Sequence, residues 1–106
     1  MSSRIKKLLK ELKTGLTRIY GERLDAVYLY GSYARGDNRD GSDLDVLVVL
    51  NDFQRRAAEV RRISNLIGDI SLDFEITVSP LFMRESEWKA DKSPLLRNVK
   101  KEGVAI

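Results

Sequence analysis

Spacing organises the N-terminal part of the chain. Ile5, Leu8, Leu9, Leu12, Leu16 and Ile19 recur at intervals of three and four with lysines between them, which predicts an amphipathic helix from about Ser3 to Tyr20. Gly21 is placed to end it. Residues 25 to 30, "DAVYLY", are too short and too uniformly apolar for a surface helix and predict a buried strand that stops at Gly31. "SYARG" reads as a short helical turn and "DNRDGS" as turn chemistry throughout. "LDVLVVL", rich in β-branched residues, is a second buried strand.

Further along, Asn51 with Gln54 resembles a capping box for a helix over about 52 to 67. Its apolar stripe is Phe53, Ala57, Val60, Ile63 and Ile67, and Gly68 closes it. Residues 70 to 78, "ISLDFEITV", alternate, with Ile70, Leu72, Phe74 and Ile76 facing one way and Ser71, Asp73, Glu75 and Thr77 the other, which predicts a third strand. Residues 81 to 92, with Phe82, Met83 and Trp88, match no regular pattern and are a candidate partner contact. In "SPLLRNVKKEG", Ser93 suits an N-cap, Pro94 the first helical position and Gly103 the end of a C-terminal helix. The succession helix, strand, turn, strand, helix, strand, helix implies an α/β domain with a small mixed sheet of about three strands flanked by helices.

Composition narrows the class. The 106 residues, 42% of them hydrophobic, supply one core and not two, so a single domain over 1–106 is expected. A charged fraction of 33%, no long apolar run and no signal-peptide pattern at the N-terminus point to a soluble cytoplasmic protein without a membrane partner. With no cysteine, disulfides, thiolate metal sites and cysteine nucleophiles are excluded; with no histidine, so are the commonest general base and the usual zinc ligand. A net charge of +3 from 19 basic and 16 acidic residues is too balanced to indicate nucleic acid as the partner. The basic runs at Lys6, Lys7, Lys10 and Lys13, at Arg55, Arg56, Arg61 and Arg62, and at Lys100 and Lys101 read as solvated helix faces.

Against that background the pair Asp43 and Asp45 stands out. On a strand, residues two apart project from one face with Cα atoms roughly 6.5 Å apart, so the two carboxylates would be neighbours that repel. A divalent cation resolves such a pair, and hard oxygen ligands suit Mg²⁺, or Mn²⁺, bound together with substrate phosphates. The plainer alternative makes both residues ordinary turn acids at an exposed strand start. Asp73 and Glu75 share one face of the predicted third strand, so a parallel neighbour joined by a crossover helix would bring one of them beside the pair, as metal ligand or general base. Asp73, nearer the strand start, is the favoured one of the two. Upstream, Gly31 and Ser32 follow the first strand directly, where free backbone N–H groups and a hydroxyl can bind an anion. Neither a P-loop nor a dinucleotide fingerprint is present.

Gly31-Ser32, ten residues, then Asp43-x-Asp45 between two strands resembles the signature of the DNA polymerase β-like nucleotidyltransferase superfamily, and "GSYARGDNRDGSDLDVLVV" is most similar to its minimal members, the MNT proteins. The resemblance covers residues 26 to 50 strongly and the rest by element order and size. It implies a palm-like sheet on which Gly31 and Ser32 grip ATP, Asp43 and Asp45 hold Mg²⁺, and an acid on the next strand completes the site. Ser42 resembles a serine that assists phosphate binding. Arg35 and Arg39 could neutralise phosphate charge by bidentate hydrogen bonds, a structural salt bridge being the other role open to each. MNT proteins are similar to antitoxins paired with HEPN ribonuclease toxins, some of which receive AMP on a tyrosine. The resemblance therefore implies adenylylation of a HEPN-type toxin; the alternatives are a nucleotide-binding antitoxin that acts by contact and a small-molecule transferase of the aminoglycoside-modifying type. A homo-oligomer and a hetero-oligomer both remain open, since Trp88, Phe82 and the terminal leucines suit a core or an interface.

Overall fold

In the computed structural model, which describes residues 1–90 and 92–106, a central strand sets the architecture. Strand β2 (Leu44–Leu50) has a neighbour on each edge and helices over each face, and every residue in it but Asp45 is buried. The continuous apolar run "LDVLVVL" is what such a position requires. Around it the sheet order is β3-β2-β1-β4. Strand β1 (Leu24–Tyr30) runs antiparallel to β2, and β3 (Val78–Arg84) runs parallel to β2. The parallel pairing and its helical crossover are as the sequence predicts. A fourth strand, β4 (Val104–Ala105), pairs antiparallel with β1 at Tyr28 and Leu29, so the sheet has four strands rather than about three; two residues are too few to show a period.

Helix α1 (Ser3–Tyr20) forms as its spacing dictates, with Ser2 Oγ accepting from the Ile5 N–H at 3.2 Å and Gly21 ending it at φ 57°. Its Leu8, Leu12 and Leu16 pack onto Val27, Leu29, Val46, Val48 and Phe82 of one sheet face. The other face carries Leu47, Val49 and Met83 under Leu96 and Val99 of α6 (Pro94–Glu102), which Ser93 caps by accepting from the Leu96 N–H at 3.3 Å. Trp88, from α5 (Glu85–Ala90), stacks on Tyr28 with ring centroids 4.8 Å apart. Between β1 and β2, Ser32–Arg35 form the expected single helical turn, α2. Among the described residues no helix is long and apolar enough to cross a membrane.

Two predicted elements are corrected. The helix over 52 to 67 is instead α3 (Arg56–Arg62) followed by α4 (Ser64–Phe74), with a break at Ile63 where the Ser64 hydroxyl donates to the Arg61 carbonyl at 2.8 Å. The capping box does not form: Asn51 Oδ1 accepts from the Asp52 N–H, and the Gln54 carbonyl accepts from Arg84. Ala57 and Val60 of the expected stripe are exposed, while Glu59 points inward and accepts from the Tyr20 hydroxyl at 2.9 Å and from Arg62 at 3.1 Å. Gly68 lies inside α4 and ends nothing.

The third strand is also displaced. Ile70 to Phe74 are helical, Glu75 closes α4 in the left-handed conformation at φ 54°, and β3 begins at Val78, so most of "ISLDFEITV" is not strand. Ile63, Leu66, Ile67, Ile70 and Phe74 also recur at helical intervals, and packing against α1 selects that period over the alternation. Pro80 sits within β3 because β3 is an edge strand, where one missing donor is tolerated. The two periods make opposite demands on Leu72, which the strand would bury beside Phe74 and the helix leaves 80% exposed. Leu72→Ala should therefore change the urea unfolding free energy by less than about 0.5 kcal/mol. Phe74→Ala should lower it by about 3–5 kcal/mol.

Candidate active site

The burial that makes β2 central also positions its one half-buried residue. Asp45 shares a sheet face with Leu47 and Val49, and the register places Tyr30 of β1 on one side of it and Ser79 of β3 on the other. Asp43 precedes the strand and is exposed. Gly31 follows β1 at φ 78°, a conformation that side chains disfavour, and a Cβ there would overlap the Asp45 Oδ2 atom. Glycine is needed on both counts. The glycine-serine turn and the Asp45 carboxylate therefore line one cleft of about 520 Å³, with Tyr30 and Arg35 beside them and Leu95, Asn98, Val99 and Glu102 of α6 as the far wall.

Each remaining predicted residue has a definite place. Arg35 ends α2 and pairs with Asp37 at 3.1 Å and with Glu102 across the cleft at 3.6 Å. Ser42 closes the loop, its Oγ accepting from the Arg39 N–H at 2.9 Å and its own N–H donating to the Arg39 carbonyl at 3.0 Å. The Arg39 side chain is exposed outside the cleft lining. Asp73 and Glu75 do not join the pair. Asp73 lies on the exposed side of α4, beside Ser3, Arg4, Lys7 and Glu11 on the α1 side of the sheet, and Glu75 is an exposed helix end. Because β3 starts later than predicted, the residue level with Asp45 is Ser79, and the Thr77 carbonyl accepts from the Leu44 N–H at 2.8 Å. Among the described residues no three acids are grouped to hold a metal ion.

The electrostatics follow from this layout. Burial pushes the Asp45 carboxyl above the usual carboxylate range, Asp43 pushes the same way, and Arg35 opposes them. Burial, and then the Asp45 charge, raises the Tyr30 hydroxyl. Asp45 and Asp43 are thus a poorly compensated acid pair with oxygen donors only, which fits a hard divalent cation that completes its shell with substrate phosphates. The sequence reading did not include Tyr30, Asn98 or Glu102 in the site. The four-residue interval from Asn98 to Glu102 put both on one helix stripe, but no local signal linked that helix to Gly31.

The nucleotidyltransferase domain family matches residues 5–105, and the chain belongs to that family. A Methanocaldococcus jannaschii protein named "Putative protein adenylyltransferase MJ0141" is 32% identical over 99 residues, which are 93% of this chain and 95% of that one. The fold is similar to a crystal structure of a toxin-antitoxin with AMP-PNP, at TM-score 0.65 and 21% identity over 91% of this chain and 69% of the other. It is also similar to a tri-AMPylated Shewanella oneidensis HEPN toxin in complex with MNT antitoxin, at TM-score 0.55 and 20% identity over 92% and 68% of the two chains.

Because the folded pKa of Asp45 lies above the unfolded value of about 3.9, the native state holds this proton more tightly, and Asp45 lowers stability as pH rises through that window. In metal-free buffer, Asp45→Asn should therefore raise the urea midpoint relative to wild type at pH 7, with a smaller difference at pH 4. Unchanged separation at the two pH values would show that the carboxyl is not desolvated. Gly31→Ala should destabilise by more than about 1 kcal/mol in the same assay, from the left-handed backbone and the collision with Asp45.

Proposed function

We propose that the protein is a Mg²⁺-dependent adenylyltransferase that moves AMP from ATP to a hydroxyl of a partner protein, and that it serves as the antitoxin of a HEPN-type toxin. The observation that carries this reading is the approach of the Asp45 carboxylate to the Gly31-Ser32 turn within one cleft. The family match and the adenylyltransferase relative along nearly the whole chain support the reaction class, and the toxin-antitoxin neighbours support the partner.

In this reading Asp43 and Asp45 hold the cation, which neutralises phosphate charge when bound. Gly31 and Ser32 receive the triphosphate, Gly31 by allowing close approach of the chain and Ser32 by hydrogen bonding. Arg35 is aimed into the cleft to meet an anion, whereas Ser42 acts indirectly by fixing the loop that carries Asp43, and Arg39 contacts phosphate only if its exposed side chain swings in. The acceptor oxygen attacks the α-phosphorus, the bond to the bridging oxygen breaks, and pyrophosphate leaves. The hydroxyl proton passes to a carboxylate of the pair or to solvent, since Ser79 and Thr77 cannot take it. Alignment of acceptor and leaving group supplies much of the rate.

The serine at the position where a third acid was expected favours a second reading, a nucleotide-binding antitoxin that acts by contact. One experiment separates them. With Mg²⁺ and ATP labelled at the α-phosphate, the wild type should label a host protein, γ-labelled ATP should not, and both Asp43→Asn and chelation by EDTA should reduce labelling at least about 100-fold. ATP binding without any transfer would establish the contact reading instead.

A further inference from the structure

The far wall of the cleft has chemistry that phosphate binding does not use. Leu95, Asn98, Val99 and Glu102 lie at i, i+3, i+4 and i+7 on α6 and so share one stripe, which spans about 10 Å along the axis. One end of that stripe is fixed, because Glu102 pairs with Arg35 at the end of the turn that begins at Ser32. Asn98 lies one turn further from that end and Leu95 two turns. Leu95 is 46% exposed although it lines a cleft, and the Asn98 amide has no hydrogen-bond partner among the described residues.

We propose that this stripe is the nucleobase subsite, with Leu95 covering the flat face of a purine and Asn98 reading its edge. The inference rests on the nucleotidyltransferase reading and adds base selectivity to it. A side-chain amide offers one acceptor and one donor in a plane. The N6/N7 edge of adenine presents the complementary donor and acceptor, whereas the same edge of guanine presents two acceptors and can satisfy only half of the amide. The site therefore selects adenine. Glu102 marks the phosphate end of the stripe through its ion pair with Arg35. The stripe, about 10 Å long, accommodates a ribose and base extending from that end.

The test is calorimetric titration of the full chain, with Mg²⁺, by AMP-PNP and by GMP-PNP. The wild type should bind AMP-PNP about tenfold or more tightly than GMP-PNP, and Asn98→Ala should remove most of that ratio by weakening AMP-PNP more than GMP-PNP. Leu95→Ser should weaken both ligands while leaving the ratio in place. Both side chains are exposed, so neither change threatens the fold. Equal binding of the two ligands by the wild type, or a ratio unchanged in Asn98→Ala, would overturn the subsite and leave the nucleotidyltransferase reading standing. Binding of neither ligand by the wild type would remove that reading, and the subsite with it.

Discussion

Burial of β2 on both faces and both edges is the constraint on which the rest depends. A strand so enclosed can carry polar atoms only at its ends, and Asp45 sits at the first position where the enclosure opens. Strands β1 and β3 are fixed by pairing with β2, so the turn after β1 and the start of β3 must arrive at the same mouth. Helix α2 is too short to persist alone and is held by the two strands it joins. The site is thus a consequence of closing the core. Its backbone is anchored by residues such as Val46, Leu47 and Val48, which are wholly buried and carry no chemistry. This explains how a small chain can hold two like charges together: Asp45 stands on the best supported backbone in the molecule, and Asp43 directly precedes that strand.

The parts of this arrangement legible in the sequence were those with a single period. Helix α1 and strands β1 and β2 have patterns that only one element satisfies, and the Gly31-Ser32 to Asp43-x-Asp45 spacing could be read because it is one continuous stretch from the end of β1 to the start of β2. Residues 63 to 76 satisfied two periods at once. The strand alternation through Ile70, Leu72, Phe74 and Ile76 was as regular as the helical spacing through Ile63, Ile67, Ile70 and Phe74, and the surface of α1 decided between them. Arg4 reinforces that choice by donating to the Phe74 carbonyl and placing its guanidinium 5.9 Å from the Phe74 ring centroid. Gly68 misled for a related reason. It is a breaker in isolation, yet a lone glycine in a helix interior costs only about 1 kcal/mol, so context overrode it. Assignment of the third acid failed with the strand that was to carry it.

The consequence reaches the charge balance of the cleft. Had Asp73 or Glu75 stood level with Asp45, three carboxylates would have faced one guanidinium. With Ser79 there instead, the mouth holds two, and the other carboxylate that lines the cleft with Asp45, Glu102, sits on the opposite wall paired with Arg35. Acids and bases are thereby separated along the cleft, the uncompensated pair at the sheet and the neutralised pair at α6. A ligand carrying several negative charges meets repulsion at the sheet unless cations come with it. It meets a guanidinium already engaged by Asp37 and Glu102, which must exchange a carboxylate for a phosphate oxygen. Both ion pairs are largely exposed and so worth little on their own, which makes the exchange cheap. The geometry therefore couples anion binding to cation binding at the sheet while leaving Arg35 free to follow the anion, and it does so with a helix, α6, that Leu96 and Val99 anchor in the second core.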